Sequence, residues 1–179
     1  MPETICFQLY SSPVGMLKIA DFNEKLCMCD WLYRTQRSRI DQRISAGLKA
    51  DFVESDTDLL SETRKQLEEY FSGNSKVFTP PLQCVGSDFQ QRVWQALMEI
   101  PYGKTMTYKG LTDKIGNPDM IRAVASANGA NAISIIVPCH RVIGSSGELV
   151  GYAGGLPAKK RLLQLEKAIP ENWELFDDK

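Results

Sequence analysis

A cysteine and a histidine stand side by side in the stretch IIVPCHRVIG, as Cys139 and His140, and His140 is the only histidine among 179 residues. A thiol reacts as its thiolate, and a neighbouring base raises the thiolate fraction at neutral pH. Adjacent side chains on an extended backbone point to opposite sides, so a bend at Pro138 or a bridging water is needed. A carboxylate must also orient the base, and Glu166 on the last predicted helix is the candidate.

The same pair also has a structural interpretation. A cytosolic cysteine is most often a buried thiol, and a lone histidine is more often structural than catalytic. The residue types alone therefore leave both interpretations of Cys139 and His140 open.

The cysteine usage and the hydropathy pattern predict a cytoplasmic protein. The chain has five cysteines, an odd number without a disulfide framework, so we expect free thiols. The four outside the pair fit no standard zinc spacing, and we expect no metal site: Cys6, Cys27, Cys29 and Cys84. No stretch reaches the roughly 18 apolar residues of a membrane span, and the N-terminus lacks the pattern of a signal peptide.

The elements that must position the pair are predicted to form two domains, residues 1–84 and 85–179, with the boundary near the Pro pair of NSKVFTPPLQCVGS. In the first, ICFQLYSSPVGMLKIADFNEKLCMCDWLY predicts an antiparallel meander with turns at Ser12-Pro13 and Asn23-Glu24. The segment between Arg34 and Ser55 has no clear pattern. DTDLLSETRKQLEEYFSG predicts a helix that stops at Gly73.

The second half has the outline of a winged helix. Ser87 precedes a helix with an apolar stripe formed by Phe89, Val93, Trp94, Leu97 and Met98. Two short helices follow, one capped by Thr107 and one beginning at Pro118, as in a helix-turn-helix. ISIIVP then predicts a buried strand or extended segment, RVIGSSGELVGY a hairpin, and LPAKKRLLQLEKA a closing helix that starts at Pro157.

The second helix of the pair is rich in small residues. It carries Ala123, Ala125, Ser126, Ala127 and Gly129, with Arg122 as its one long cation. Such a face allows close approach to a partner, but a helix packed tightly against its neighbours is equally common. Residues 85–169 include ten basic and six acidic residues. This excess permits nucleic-acid binding without proving it.

Four stretches, SDFQQRVWQALMEIPYGKTMTY, GNPDMIRAVASANGAN, PCHRVIGSSGELVGYAGG and KKRLLQLEKA, resemble the O6-alkylguanine-DNA alkyltransferases over residues 87–168. The first half is similar more loosely, through SSPVGMLKIA and the helix before YFSG. The resemblance implies an α/β fold in which a small ribonuclease-H-like domain with an antiparallel sheet precedes a mostly helical winged-helix domain. It also implies direct DNA repair, in which a cysteine takes the alkyl group from O6-alkylguanine as a thioether and acts once, without a cofactor. The implied partner is double-stranded DNA, bound by a monomer through the minor groove.

The resemblance also implies roles for individual residues. Cys139 is similar to the alkyl acceptor, His140 to its water-mediated base and Glu166 to the orienting carboxylate. The remaining residues matched in this way are Asn131, which ties the turn that holds the cysteine; Tyr108, which donates a proton near N3 of guanine and helps rotate the phosphate; Arg122, the finger that replaces the extruded base; Ala123, Ala125, Ser126 and Ala127, in the minor groove; and Val142, Tyr152 and Ala153, in a loop that encloses the flipped base.

Two other functions compete with this interpretation. A winged-helix protein that only binds alkylated DNA needs the same basic half but no acceptor, so the cysteine of PCHRV discriminates against it. A cysteine hydrolase needs a deacylating water and an oxyanion hole, for which the sequence has no clear sign.

Overall fold

The computed structural model describes residues 3–174, and the chain divides into two compact units. The first unit runs to residue 87 and also takes up residues 132–136. The second unit comprises residues 88–131 and resumes at residue 137. The sequence contained no sign that a short segment of the second half belongs with the first.

The first unit is built on the predicted meander, which is confirmed. Strands β1 (Thr4–Ser12), β2 (Gly15–Phe22) and β3 (Lys25–Trp31) pair antiparallel in chain order. Asn23 and Glu24 both have positive φ, at 50° and 59°, as the two central residues of a type I′ hairpin turn require. This turn matches the right-handed twist of the strands that it joins.

Two elements of the first unit were not predicted. Helix α1 (Arg37–Leu48) and strand β4 (Asp51–Glu54) fill the segment for which the sequence indicated no element. Strand β4 pairs parallel with β1, so the sheet order is β3-β2-β1-β4. Helix α2 (Asp58–Phe71) was predicted and is confirmed, with Thr57 accepting a hydrogen bond from Leu60 N as its N-cap. The unit is therefore α/β, as expected.

Residues 132–136 complete the first unit at strand β3. Cys29 N donates to Ala132 O at 2.9 Å, and Ser134 N donates to Cys29 O at 2.7 Å. Ser134 Oγ also donates to the buried Asp30 carboxylate at 3.2 Å. The segment is buried as predicted, but it makes only an isolated bridge and is not a regular strand, because Ile135 has a φ of 73°.

The second unit is mostly helical. Its elements are α3 (Asp88–Met98), β5 (Met106–Thr107), α4 (Tyr108–Ile115), α5 (Ile121–Gly129), β6 (Val142–Ile143) and α6 (Leu156–Leu165), with 3₁₀ turns at Pro118–Met120 and Cys139–Arg141. Thr107 caps α4 as predicted, by accepting from Gly110 N at 3.0 Å. Trp94 on α3 donates through Nε1 to Ala127 O at 2.8 Å, which fastens α3 to α5.

Three details of the second unit differ from the prediction. The helix expected from Pro118 begins as a 3₁₀ turn and becomes α-helical only at Ile121. Met98 was placed in the apolar stripe of α3 but is 49% exposed, since it lies at the last position of the helix. The expected hairpin is a loop closed by Gly144 N to Glu148 O, because β6 pairs parallel with β5 instead. Within residues 3–174, no helix is both long and apolar enough to span a membrane.

Candidate active site

The cysteine and the histidine lie in one tight turn. Pro138, at φ −82° and ψ 60°, ends the extended backbone, and Cys139–Arg141 forms a single 3₁₀ turn. Cys139 N donates to Val137 O at 2.8 Å, and Arg141 N donates to Pro138 O at 3.0 Å. The bend required by the sequence is therefore present at Pro138. The Cys139 side chain is almost completely buried, with 4% of the residue exposed.

Asn131 holds the approach to this turn. Its Nδ2 donates to Val137 O at 2.9 Å, and the side chain is buried. Asn131 follows the end of α5, so one hydrogen bond joins the end of the small-residue helix to the residue that accepts from Cys139 N.

His140 contacts Glu166 in the buried interior of the second unit. The His140 Nε2 atom lies 2.8 Å from Glu166 Oε1. A carboxylate accepts only, so Nε2 carries the proton and donates it to Glu166, which leaves Nδ1 as the basic nitrogen. Nδ1 is buried and has no hydrogen-bond partner among residues 3–174. Burial lowers the pKa of His140, although the bond to Glu166 opposes the shift, so the imidazole is neutral at pH 7.

Arg141 is a member of the site that the sequence analysis missed. Its Nε donates to Glu166 Oε2 at 2.8 Å and its NH2 to Glu166 Oε1 at 3.0 Å. Burial alone would raise the pKa of Glu166, but the hydrogen bonds and charges of His140 and Arg141 lower it to about 2. An arginine inside the apolar stretch IIVPCHRVIG was the available signal, because a buried guanidinium needs an acidic partner.

Lys159 was also missed. Its Nζ donates to Val150 O at 3.1 Å and to Gly151 O at 3.2 Å, and the residue has no exposed surface. Burial lowers the pKa of Lys159 to about 8, although the charge of Cys139 opposes this. Lys159 precedes Glu166, the C-cap residue of α6, by seven residues or about two helical turns, a spacing visible in the sequence.

Tyr108 begins α4 and faces the same loop. Its hydroxyl donates to Val150 O at 3.4 Å and accepts from Asn128 Nδ2 at 3.4 Å. Burial raises the pKa of Tyr108, the charge of Cys139 raises it further, and the bond from Asn128 lowers it. Asn128 is a third residue that the sequence analysis did not name.

The other predicted site residues fall into two groups. On α5, Arg122, Ala125 and Ser126 are exposed and Ala123 is half-buried. Ala127 differs from them, because it is only 2% exposed and its backbone carbonyl accepts from Trp94 Nε1; its contact with the minor groove stays a prediction.

In the loop, Tyr152 and Ala153 are half-buried and Val142 is fully buried. The N–H of Val142 donates to Cys139 O, and the N–H of Cys139 is also used within the turn. The backbone N–H groups of both residues are therefore already used within the turn.

In the described part of the chain, the cysteines of the first unit belong to no group of side chains that could bind a metal. All five cysteines are free thiols. Among residues 3–174, no three histidine, cysteine or acidic side chains lie together as a metal site would require.

Both halves of the chain match models of one family. Residues 5–84 match "6-O-methylguanine DNA methyltransferase, ribonuclease-like domain", and residues 88–168 match "6-O-methylguanine DNA methyltransferase, DNA binding domain". Two similar relatives are both named methylated-DNA–protein-cysteine methyltransferase. The protein from Mycobacterium tuberculosis is 43% identical over 175 residues, 97% of this chain and 99% of the relative. The protein from Methanosarcina barkeri is 44% identical over 161 residues, 90% of this chain and 96% of the relative.

The fold is similar to solved structures as well. The crystal structure of Mycobacterium tuberculosis OGT in complex with DNA has a TM-score of 0.77 and 42% identity, over 91% of this chain and 93% of that chain. The Mycobacterium tuberculosis O6-methylguanine methyltransferase structure has a TM-score of 0.76 and 41% identity, over 94% and 96%.

Proposed function

The chain belongs to the 6-O-methylguanine DNA methyltransferase family, and on that premise we propose that Cys139 is its alkyl acceptor. The protein repairs DNA by moving the alkyl group of O6-alkylguanine onto one of its own cysteines, and each molecule acts once. The observation that carries the assignment to Cys139 is the adjoining His140, whose Nε2–H is held by Glu166 and whose Nδ1 has no hydrogen-bond partner within residues 3–174. Cys139 lies in the same 3₁₀ turn as His140, the proposed general base.

The proposed reaction is a single displacement at the alkyl carbon. His140 Nδ1 takes the thiol proton, directly or through one water, and the thiolate of Cys139 attacks the carbon on the O6 atom. The new S–C bond forms as the C–O bond breaks, and the electron pair of that bond stays on guanine. Glu166 fixes the imidazole and stabilises the imidazolium that forms.

Tyr108 is the proposed proton donor to the departing guanine. In the described part of the chain its hydroxyl makes two hydrogen bonds, both long at 3.4 Å, so it can turn to a ligand at low cost. The bond from Asn128 favours the phenolate that forms when Tyr108 gives up its proton. A proton delivered near N3 neutralises the charge that develops on the base.

The exposed face of α5 is the proposed contact with the minor groove. Ala125 and Ser126 are exposed and small, which permits close approach of the backbone to DNA. Arg122 is exposed at the start of α5 and is free to enter the base stack in place of the extruded guanine. Extrusion costs a few kcal/mol, which such an insertion compensates.

The loop from Val142 to Ala153 is the proposed wall of the pocket for the flipped base. The carbonyl groups of Cys139 and Val142 can accept from the exocyclic amine of guanine, and Tyr152 can stack on the ring. The partner is double-stranded DNA. We further propose a monomer that needs no cofactor and acts in the cytoplasm, where five thiols stay reduced.

Intact-mass analysis tests the proposal. Mixing the protein with a duplex that contains O6-methylguanine should add one methyl group, about 14 Da, because each molecule accepts one alkyl group as a thioether. Peptide mapping should find it on Cys139, since a base stands beside this thiol. An unmethylated duplex is the control. A methyl group on another cysteine would refute the assignment, and no gain in mass would leave a protein that only binds alkylated DNA.

A further inference from the structure

The guanidinium of Arg141 and the imidazole of His140 share one carboxylate oxygen. Glu166 Oε1 accepts from His140 Nε2 at 2.8 Å and from Arg141 NH2 at 3.0 Å. Glu166 Oε2 accepts from Arg141 Nε at 2.8 Å, so the guanidinium binds the carboxylate in a bidentate manner. Arg141 NH1 donates to Ile100 O at 2.6 Å, which fixes the guanidinium to the backbone just after α3.

We propose that Arg141 is a positioning residue of the proton relay, which fixes the Glu166 carboxylate and takes a share of its negative charge, so that His140 stays a neutral base. This inference rests on the proposed function, in which His140 must be unprotonated to accept the thiol proton of Cys139.

The charges around His140 support this role. One anion, Glu166, faces two cations, Arg141 and Lys159, and all three side chains are buried. An isolated Glu166 carboxylate would hold a second proton on the imidazole, since an opposite charge within hydrogen-bond distance favours the charged form. With Arg141 in place the Arg–Glu pair is already neutral, and protonation of His140 would add an uncompensated buried charge.

Other titratable groups near the relay do not supply this effect. Burial raises the pKa of Tyr108 on α4, so it stays a neutral phenol, and Cys139 supplies the thiol proton that His140 must accept. The Tyr102 ring lies 5.7 Å from the Arg141 guanidinium carbon, and its hydroxyl donates to Leu165 O at 3.4 Å. Burial and the charge of Glu166 raise the pKa of Tyr102, so it too stays neutral. Arg141 is therefore the group that neutralises the Glu166 carboxylate and weakens its attraction for a second proton on His140.

The geometry explains why arginine occupies this position. The side chain donates to two oxygens of one carboxylate and to a carbonyl in a third direction, which matches the planar fork of a guanidinium. A lysine ammonium is a compact charge that cannot hold the carboxylate in a bidentate manner. Arg141→Lys should therefore keep the charge and lose the orientation.

Nuclear magnetic resonance of the imidazole nitrogens tests the proposal directly, because His140 is the only histidine in the chain and its signals need no assignment. In Arg141→Met, the pKa of His140 should rise by about one unit or more, since the carboxylate then acts on the imidazole alone. Arg141→Lys should produce a smaller rise. Arg161→Met, which removes an exposed arginine from α6, is the matched control and should leave the titration unchanged.

The pH profile of methyl transfer provides a second measurement. For Arg141→Met the acid limb should move to higher pH, so that transfer at pH 6 is at least about tenfold slower than in the wild type while the difference shrinks at pH 8.5. Slower transfer by the same factor at every pH, with an unchanged His140 titration, would overturn the proposal and make Arg141 a packing residue.

A double-variant cycle covers the case in which Arg141→Met fails to fold. The double variant Arg141→Met/Glu166→Gln removes both buried charges, and it is compared with Glu166→Gln alone. The proposal expects loss of Arg141 to raise the pKa of His140 by well under one unit in this background, because the carboxylate charge is already absent. A rise of about one unit or more between Glu166→Gln and the double variant would overturn it. The titration needs no DNA, so its outcome is independent of whether Cys139 accepts the alkyl group.

Discussion

His140 and Glu166 form a hydrogen bond of 2.8 Å between Nε2 and Oε1 that is closed to solvent on both sides. The bond leaves His140 Nδ1 as the only basic nitrogen of the ring. Because the carboxylate is also held by Arg141, the relay has one orientation before DNA arrives. Preorganisation of this kind avoids rearrangement of the base during the chemical step.

The low pKa of Glu166 predicts that the folded protein loses stability in acid. Its pKa is lowered from 4.5 to about 2 in the folded protein, so the unfolded chain binds more protons between these values. The stabilisation from Glu166 is therefore complete above pH 4.5, and it is lost as the pH falls toward 2. Urea unfolding from pH 7 to pH 3 should show this loss in the wild type. Glu166→Gln should lack it and should be less stable at pH 7 by about 3 kcal/mol, because Arg141 then lacks its buried anion.

Cys139→Ser should abolish methyl transfer and keep DNA binding. The hydroxyl is a much weaker nucleophile than a thiolate at neutral pH, while the proposed binding surface lies on α5. Intact mass checks the transfer, and fluorescence anisotropy with a methylated duplex checks the binding. Loss of affinity by more than about tenfold would show that the Cys139–Arg141 turn contributes to DNA binding.

Arg122→Ala distinguishes a finger from a phosphate contact. A phosphate contact would weaken binding to all duplexes alike and lower the salt slope by about one. A finger should matter for extrusion, which a free base does not need. We expect transfer from duplex DNA to slow by at least about tenfold, equivalent to roughly 1.4 kcal/mol, with transfer from free O6-methylguanine nearly unchanged. Equal slowing on both substrates would place Arg122 in the active site.

Lys159→Met should separate stability from activity. Among residues 3–174 no carboxylate forms an ion pair with Lys159, so its buried charge is a cost to folding, and its removal should not lower the stability at pH 7. Methyl transfer should slow, because the loop carbonyls lose their donor and Cys139 loses a nearby positive charge. Urea unfolding and single-turnover kinetics check both results. Lys160→Met, at the neighbouring position, is the control and should change neither.

The pH dependence of Lys159 follows from the same burial. Its pKa is lowered from 10.5 to about 8, so between these values the unfolded chain binds more protons than the folded one. Wild-type stability should gain a contribution as the pH rises from 8 to 10.5, in the presence of a reductant that protects the thiols. Lys159→Met should lack this gain, and the same gain in both proteins would show that another group is responsible.

The elements predicted well are those with strong local signals. The meander followed from alternating apolar residues and from the turn at Asn23-Glu24, and α4 followed from the Thr107 cap. Helix α1 was missed because Ile40 and Ile44 are its buried residues and polar side chains surround them. Its apolar face is too narrow to stand out as a helical period.

The candidate site was predictable where the chemistry lies in one motif. Cys139 and His140 are adjacent, and Glu166 was the acidic residue on the closing helix. Arg141 and Lys159 were missed because the sequence does not show which groups a cation contacts, although an arginine within an apolar stretch did indicate burial. Their partners are Glu166, 25 residues away, and the carbonyl groups of a loop, which tertiary structure alone brings close.

Because residues 132–136 belong to the first unit, that unit cannot complete its fold until they have been synthesised. Cys29 on β3 lacks its backbone partners until these residues leave the ribosome, about 45 residues after the rest of the first unit ends at residue 87. At roughly 5–20 residues per second this delay lasts on the order of several seconds. By then helices α3, α4 and α5 have already been made. The nascent first unit therefore cannot complete its fold until this segment has emerged, and by then Cys139, three residues further on, is already part of the chain.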